Sequence, residues 1–121
     1  MIGIGVDVVE IERFRRSLER TPSMRARLFT ASELEYVAPQ ADPVPSLAAR
    51  FAAREAVMKS LGLGLGAFGF HEVWVERAAS GSPSLQVTGR ALELAVAAGV
   101  SRWHISLTHS GPVAIAYVVA E

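Results

Sequence analysis

The sequence predicts a single α+β domain with a mostly antiparallel sheet and helices packed on one side of it. The chain has 121 residues, half of them apolar, which is enough to bury one hydrophobic core. Helical and strand periods follow one another along the chain in the order β-α-α-α-β-β-α-β-β. The last four strands form two adjacent pairs joined by glycine-containing turns, a pattern typical of antiparallel hairpins.

Charge and cysteine content exclude several classes of protein. Twelve basic residues balance twelve acidic ones, so the surface as a whole does not indicate nucleic-acid binding. The absence of cysteine excludes disulfides, zinc–thiolate sites and thiol nucleophiles. Asp7 interrupts the apolar start of the chain, and no later apolar run is long enough to cross a membrane. We therefore expect a cytoplasmic protein with no membrane partner.

The first strand is half-buried and has two chemically different faces. Asp7 lies opposite the aliphatic side chains, on the same face as two glycines that allow close approach of another backbone or a ligand. An acid at this point can also serve as a helix cap or turn residue, and that alternative stays open. The alternating residues are Ile2, Gly3, Ile4, Gly5, Val6, Asp7 and Val8.

An amphipathic helix is predicted over Glu10–Arg20, with an apolar stripe opposite a row of arginines. Six of the twelve basic residues fall between positions 13 and 27. Such asymmetry in a neutral protein indicates a docking face for an acidic partner, although a solvated charged face is the commoner explanation. The stripe comprises Ile11, Phe14 and Leu18, and the arginines opposite it are Arg13, Arg16 and Arg20.

The central segment, Ser46–Gly66, combines a helix with a glycine-rich end. Apolar side chains recur at helical spacing, and Glu55 and Lys59 lie one turn apart at the edge of that stripe. Arg50 and Arg54 are predicted at its other edge. Three glycines then end the helix and leave open backbone beside it. The stripe comprises Leu47, Phe51, Met58 and Leu61, and the glycines are Gly62, Gly64 and Gly66.

Capping and turn residues predict the remaining elements. Thr30 and Glu33 form a capping box that begins a short helix ending near Val37. Pro39–Pro45 is a loop, too short to separate two domains. The later elements are two strands over Phe70–Arg77 and Ser84–Thr88, a helix over Arg90–Ala98 capped by Gly99, and a strand pair over Trp103–His109 and Pro112–Ala120.

Several polar residues suit the handling of a phosphate ester. Asp7 and Glu55 supply two carboxylates, and Mg²⁺ in proteins takes one or two carboxylates together with phosphate oxygens and water. Arg50 could neutralise a phosphate. Lys59, the only lysine in the chain, could stabilise charge on a transferring phosphoryl group. His109 could reach a ligand from the end of its strand, or it could be an ordinary histidine at the edge of the sheet. The charged residues of the central helix could likewise be ordinary surface charges.

Four stretches of the chain together form a recognisable pattern. They read GIGVDVVEIERF, RFAAREAVMKSLG, EVWVERAASGSPSLQVTG and WHISLTHS followed by AIAYVVAE, and they cover nearly the whole chain. This pattern resembles the holo-(acyl-carrier-protein) synthases, the short single-domain type of 4′-phosphopantetheinyl transferase. The resemblance implies magnesium-dependent transfer of the phosphopantetheine arm of coenzyme A to a serine of apo acyl carrier protein, with release of adenosine 3′,5′-bisphosphate. It also implies a homotrimer with sites between subunits, for which the sequence offers no exposed apolar patch as independent support.

The resemblance assigns roles to individual residues. Asp7 and Glu55 match the family's metal-binding acids, and Lys59 matches a lysine associated with catalysis. Glu55, directly or through a metal-bound water, is the candidate base, although Lys59 stays open as an alternative. The residues that match the family's coenzyme A-binding region are Arg50, Gly62, Gly64, Gly66 and His109. Arg13 matches an arginine on the helix that docks the carrier protein, and Arg16 and Arg20 lie on the same face of that helix.

Two positions depart from the family pattern. Arg54 occupies a position where lysine is usual, and we expect altered phosphate contacts with retained activity. Ser82 occupies a position where the hairpin usually carries a cation, and the loss of that cation could weaken binding of coenzyme A or the carrier. Two other functions stay open, namely a non-catalytic module that binds coenzyme A or a carrier protein, and a metal-dependent phosphohydrolase.

Overall fold

One long helix lies across a three-stranded antiparallel sheet, with shorter helices and a hairpin around it. This computed structural model describes residues 1–121. The predicted α+β class with mostly antiparallel strands is confirmed. In chain order the elements are β1 (Gly3–Glu10), α1 (Ile11–Arg20), α2 (Met24–Leu28), α3 (Ala31–Val37), α4 (Val44–Ser60), a 3₁₀ turn (Phe70–Glu72), β2 (Val73–Arg77), β3 (Pro83–Val87), α5 (Gly89–Ala97), β4 (Trp103–Ser110) and β5 (Val113–Ala120).

The strands divide between two sheets, whereas the sequence pattern indicated one. β5 is the central strand of the larger sheet, with β1 and β4 antiparallel on either side of it. Tyr117 of β5 lies between Val6 of β1 and Ser106 of β4, which defines the register. β2 and β3 form a separate antiparallel hairpin in which Val75 lies opposite Leu85.

The long helix α4 is buried on almost every side, because α1 and strands of both sheets pack against it. Leu47 and Val57 are fully buried, and several alanines let the neighbouring elements approach closely. The helix begins at Val44 and carries Pro45 in its first turn, where a missing N–H removes no helical hydrogen bond. The loop predicted through Pro45 is therefore shorter than expected. No helix in the structure, α4 included, is long and apolar enough to cross a membrane.

The glycines of β1 face α4. A Cβ atom on Gly5 would lie 1.8 Å from the carbonyl oxygen of Ala56, and a Cβ atom on Gly3 would lie 1.8 Å from that of Ser60. Only glycine lets the backbones of strand and helix approach this closely. The predicted close approach of another backbone is therefore confirmed, and Asp7 lies on the same face of the strand.

The aliphatic side chains of β1 lie on the opposite face of the sheet and are exposed. Val6 is 47% exposed, and Tyr117, its neighbour on β5, is 44% exposed. We call this surface the outer sheet face. It comprises Ile4, Val6 and Val8 of β1 with their cross-strand neighbours Val119, Tyr117 and Ile115 of β5. An exposed apolar patch therefore exists, although the sequence pattern did not indicate one.

Two short elements lie outside the predicted set. The helix α2 follows α1, and the 3₁₀ turn replaces the first residues of the strand predicted from Phe70. The capping box is confirmed, because Glu33 N–H donates to Thr30 Oγ1 at 3.4 Å and Thr30 N–H donates to Glu33 Oε1 at 3.0 Å. Most other boundaries differ from the prediction by one residue.

Candidate active site

Close packing of β1 on α4 brings an acid of the strand against two charged side chains of the helix. Asp7 follows Gly5 on the face of β1 that touches α4. Glu55 and Lys59 lie one turn apart on the part of α4 that meets this end of the strand. An acid of β1 thus forms one cluster with two residues about fifty positions later in the sequence, because the glycines of β1 let the strand approach α4 closely.

An ion pair joins Lys59 to the strand. Its Nζ donates to Asp7 Oδ1 at 3.0 Å and to the carbonyl oxygen of Val6 at 3.1 Å. The side chain of Asp7 is 16% exposed, whereas that of Lys59 is 53% exposed. Because the ammonium is partly solvated, this pair contributes little to stability, but it gives the cation a defined position beside the carboxylate.

Glu55 makes no side-chain hydrogen bond and lies beside a second carboxylate. Burial raises the pKa of Glu55, and the nearby Asp7 carboxylate raises it further, while Lys59 lowers it. Two neighbouring carboxylates repel each other unless a cation offsets their charge. The electrostatics of this cluster therefore favour an added cation between Asp7 and Glu55.

The donor set at this cluster fits magnesium. No group of three or more His, Cys, Asp or Glu side chains is arranged to hold a metal ion. Mg²⁺ does not need such a group, because it retains several waters and takes only one or two protein carboxylates, often together with phosphate oxygens of a substrate. Asp7 and Glu55 thus suit a magnesium ion that shares its coordination shell with a phosphorylated ligand.

A groove of about 430 Å³ opens beside the two acids, between α1, β1 and α4. We call it the carboxylate groove. Its lining combines four charged side chains, Asp7, Glu10, Arg13 and Glu55, with five apolar ones. A ligand that carries both a charged group and an apolar arm would match this lining. The apolar lining includes Val9, Phe14, Met24 and Phe51.

The arginine face of α1 borders the carboxylate groove. Arg13 lines the groove, and Arg16 and Arg20 are exposed on the same helix. None of these three forms an ion pair within the chain. Arg15, by contrast, donates to both carboxylate oxygens of Asp42 at 2.9 and 2.7 Å and lowers the pKa of that carboxyl. The three cations predicted to dock a partner are therefore all unpaired in the fold.

Other parts of the predicted coenzyme A region do not line the carboxylate groove within one chain. Arg50 lines a separate recess. The loop after α4 is exposed, and nothing lies within 4 Å of a Cβ built on any of its three glycines. His109 is exposed near the end of β4. The three glycines of the loop are Gly62, Gly64 and Gly66.

Arg54 does not contact the carboxylate groove, which corrects the expectation that it would contact a phosphate. Its guanidinium is fully buried and makes two hydrogen bonds to the carboxylate of Glu33, at the N-terminus of α3. Its Nε donates to the carbonyl oxygen of Phe70 at 2.7 Å. Glu33 also accepts from the backbone N–H of Val75 at 3.2 Å. Arg54 and Glu33 therefore connect α3, α4 and β2 inside the core.

Sequence reasoning did not identify Glu33 as the partner of a buried charge. The capping box accounted for that acid locally, and no pattern links it to an arginine 21 residues away. The apolar wall of the carboxylate groove was also missed as a ligand surface. Phe14 and Phe51 lie on predicted apolar stripes, and a stripe does not show which members line a groove.

Together, the fold and this site define a small α+β protein with a carboxylate pair suited to a divalent cation and a phosphorylated ligand. The family model described as the 4′-phosphopantetheinyl transferase superfamily matches residues 3–118. The chain belongs to this superfamily.

Individual relatives agree with this assignment. A holo-[acyl-carrier-protein] synthase from Streptomyces avermitilis is 52% identical over 122 residues, covering 100% of this chain and 98% of the relative. The crystal structure of the synthase from Neisseria meningitidis superposes with a TM-score of 0.89 at 32% identity, covering 100% and 98% of the two chains. A Bacillus anthracis synthase, solved in complex with CoA (3′,5′-ADP), gives a TM-score of 0.81 at 28% identity over 98% and 95%.

Proposed function

We propose that this chain transfers the 4′-phosphopantetheine moiety of coenzyme A to a serine of an apo acyl carrier protein. The observation that carries the proposal is that Asp7 and Glu55 line one groove together with apolar side chains, and that Lys59 donates a hydrogen bond to Asp7. Family membership supports the proposal. So do the names of the Streptomyces avermitilis and Neisseria meningitidis relatives, since each is a holo-[acyl-carrier-protein] synthase and the match covers 98% of each. We further propose that residues 1–121 act as one transferase domain.

The proposed reaction is a displacement at phosphorus. The serine hydroxyl oxygen attacks the β-phosphorus of the coenzyme A diphosphate, and a phosphodiester forms between serine and the phosphopantetheine arm. The bond from that phosphorus to the bridging oxygen breaks, so adenosine 3′,5′-bisphosphate leaves. The hydroxyl proton must pass to a base as the oxygen attacks. The chain therefore has to position two substrates, accept a proton and offset charge on the leaving group.

Each member of the carboxylate cluster has a proposed role. Asp7 and Glu55 would hold Mg²⁺, which when bound offsets negative charge on the diphosphate. Glu55 is the proposed proton acceptor, because its carboxylate makes no hydrogen bond within the chain. Lys59 already donates to Asp7 and to a backbone carbonyl, so its proposed role is to stabilise charge on the transferring phosphoryl group.

The proposed carrier protein docks on the arginine face of α1. An acidic carrier would meet the unpaired charges of Arg13, Arg16 and Arg20. Since Arg13 also lines the carboxylate groove, a carrier bound there would hold its serine near Asp7 and Glu55. Transfer assays with carriers from fatty-acid synthesis and from polyketide synthesis identify which of the two the chain serves. A role in fatty acid biosynthesis is part of the proposal.

We also propose that the chain assembles through the outer sheet face, as the homotrimer that the family resemblance implies. An exposed apolar surface continuous over two strands is typical of an interaction site. Assembly would also explain why Arg50, the glycine loop and His109 lie outside the carboxylate groove of their own chain, because a coenzyme A site between subunits takes residues from both. The cytoplasmic location stays a prediction, which cell fractionation would test.

The test of the proposed function is the intact mass of a purified apo acyl carrier protein after incubation with this protein, coenzyme A and Mg²⁺. We expect a gain of one phosphopantetheine group. That gain should disappear with EDTA and with Glu55→Gln, and it should persist with Glu93→Gln, the same change at an exposed position on α5.

The other candidate functions give different results in the same assay. A carrier that gains no mass, while coenzyme A binds with unchanged affinity in the presence and absence of Mg²⁺, would identify a binding module and overturn the proposal. Release of adenosine 3′,5′-bisphosphate without any carrier would identify a phosphohydrolase. The transferase requires the carrier for that release.

A further inference from the structure

One arginine of α1 is bonded within the chain and is not available to a partner. Arg15 Nη1 and Nη2 donate to the two carboxylate oxygens of Asp42 at 2.9 and 2.7 Å. Its Nε donates to the carboxylate oxygens of Glu12, one helical turn earlier, at 3.2 and 3.1 Å. All three nitrogens of this guanidinium are therefore hydrogen-bonded, and they join α1 to the segment that precedes α4.

The carboxylate that receives this guanidinium is itself fixed to the start of α4. Asp42 Oδ1 also accepts from the backbone N–H of Val44, the first residue of the helix, at 3.2 Å. Pro43 lies between them and restricts the backbone with a φ of −78°. Two residues before Asp42, Gln40 Oε1 accepts from Ser46 Oγ at 3.0 Å. The segment is thus bonded to α4 at two points, so its carboxylate has a defined position relative to that helix.

The contact between Arg15 and Asp42 is the only ion pair that joins α1 to another part of the chain. Isolated surface ion pairs contribute little to stability, but a bidentate guanidinium–carboxylate pair within a network is an exception. The side chain of Arg15 is 27% exposed, so solvent reaches only part of it. Such a pair has the geometry to fix the orientation of a helix.

The helix α1 borders two grooves, one on each side of its buried stripe. Arg13, Phe14 and Ser17 line the carboxylate groove. On the other side, Arg15 and Leu18 line a second groove of about 290 Å³ between α1 and the start of α4. The helix therefore rests on a narrow apolar stripe, with the ion pair beside it. A change in the tilt of α1 would move the arginine face and one wall of the carboxylate groove together.

We propose that Arg15 is a positioning residue for the carrier protein, because its ion pair with Asp42 holds α1 in the orientation that docks the carrier. This inference rests on the proposed function, in which an acidic carrier binds the arginine face of α1. Arg15 acts through the helix and not by contact with the carrier. Without the ion pair, α1 also occupies orientations that do not dock the carrier, and the apparent affinity falls with the fraction of competent molecules.

Two substitutions with opposite effects on net charge separate positioning from simple attraction. Arg15→Gln removes a cation and Asp42→Asn removes an anion, while asparagine keeps an oxygen that accepts from the N–H of Val44. Attraction by charge alone would weaken carrier binding in the first variant and strengthen it in the second. Positioning predicts the same result for both, namely a KM for the carrier that rises about three- to fivefold. We expect kcat and KM for coenzyme A to stay within about twofold, because a saturating carrier selects the competent orientation.

The double variant and a matched pair of control variants complete the kinetic test. Arg15→Gln with Asp42→Asn restores the original net charge and should raise KM no more than either single variant, because all three lack the same ion pair. The controls are Arg90→Gln and Glu93→Gln, which make the same changes in charge at an exposed ion pair of α5. Neither control should change KM for the carrier.

Amide hydrogen exchange of the protein without carrier provides a second measurement. Arg15→Gln and Asp42→Asn should each raise the exchange rates of α1 amides about threefold or more and leave those of α5 unchanged. The control variants should not change exchange in α1.

Three results would overturn the proposal. One is opposite changes in KM for Arg15→Gln and Asp42→Asn, because charge alone would then explain both. Another is a KM for the carrier that stays unchanged in both variants, and the third is unchanged exchange in α1. A failure of the proposed function is distinguishable from these, because the unmodified chain itself would then neither bind nor modify the carrier, and the role of Arg15 would be wrong with it.

Discussion

Lys59 Nζ lies 3.0 Å from Asp7 Oδ1, so an ammonium occupies one side of the carboxylate that we propose as a magnesium ligand. The contact joins α4 to β1. Half of the Lys59 side chain is solvated, and exposed ion pairs contribute little to folding. The position of Lys59 is therefore better explained by chemistry at the groove than by stability.

Replacement of Lys59 by alanine tests that explanation. We expect kcat for transfer to fall about a hundredfold, because one preorganised charge near the reacting phosphorus is lost. The free energy of unfolding should change by no more than about 1 kcal/mol. Single-turnover assays and urea denaturation measure the two effects. A variant that loses stability but keeps its rate would make Lys59 a structural residue.

Docking through the arginine face of α1 predicts a salt-dependent interaction with the carrier. We expect the double variant Arg16→Glu with Arg20→Glu to raise KM for the carrier about tenfold or more, since like charges then oppose an acidic partner. KM for coenzyme A should not change. In the unmodified protein, KM for the carrier should rise with ionic strength, because salt screens exposed charges.

The control for this prediction is Arg90→Glu with Arg102→Glu, which makes the same change in net charge at two exposed arginines away from α1. If this control raises KM as much as the α1 variant does, the effect comes from net charge alone. If neither variant changes KM for the carrier, α1 is an ordinary solvated face.

The buried ion pair between Arg54 and Glu33 predicts a large effect on stability. Arg54→Met leaves a buried carboxylate without a partner and should cost about 3–5 kcal/mol in the free energy of unfolding. Arg54→Lys keeps the charge but cannot reproduce the two parallel hydrogen bonds, so we expect a smaller loss of about 1–2 kcal/mol. Urea denaturation measures both.

Kinetics of Arg54→Lys separate this structural role from a phosphate contact. If Arg54 acts only inside the core, KM for coenzyme A should stay within about twofold of the unmodified value at a temperature where the variant is folded. A selective rise in that KM without loss of stability would restore the interpretation that the sequence first suggested.

The outer sheet face predicts a charge-sensitive assembly. Val6→Glu places a carboxylate beside Tyr117 in the centre of the apolar surface. If copies of the chain pack through this face, burial of that charge should raise the Kd of the assembly about tenfold or more. Sedimentation velocity over a range of concentrations gives the oligomeric state. Val96→Glu, at a 64% exposed position on α5, is the matched control and should not change it.

Periodicity and capping predicted the elements of this fold, but they did not identify which face of β1 is buried. Alternation shows that the two faces differ, and the aliphatic face would ordinarily pack inside. Here Gly3 and Gly5 face inward, because the backbone of α4 occupies the space that side chains would need. The presence of the glycines was visible in the sequence, whereas the direction of packing depends on a helix more than forty residues away.

The same limit applies to the charges of α4. The one-turn spacing of Glu55 and Lys59 was readable from the sequence, and so was the acid that meets them from β1. The burial of Arg54 was not, because it depends on partners from other elements that reach this side of the helix. Those partners are Glu33 of α3 and the carbonyl oxygen of Phe70 in the 3₁₀ turn, and no local pattern connects them to α4.

Glu72 predicts how stability depends on pH at the start of α5. Its two carboxylate oxygens accept hydrogen bonds from the backbone N–H of Gly69 at 2.7 Å and from that of Ala91 at 3.0 Å. These bonds lower the pKa of Glu72 in the folded state. A lowered pKa stabilises the fold at pH values above the ordinary glutamate pKa of about 4.3, and that contribution is lost as the pH falls through the folded value.

Glu72→Gln should therefore reduce the free energy of unfolding at pH 7 by about 1 kcal/mol, a modest value because solvent screens this carboxylate. The difference between the two proteins should shrink below about pH 4 and vanish once Glu72 is protonated in both states. Urea denaturation of both proteins at pH 7, 5, 4 and 3 measures this difference, and other titrating groups cancel in the comparison. A difference that stays constant over the whole range would mean that the amide fails for steric reasons and that the charge on Glu72 does not stabilise α5.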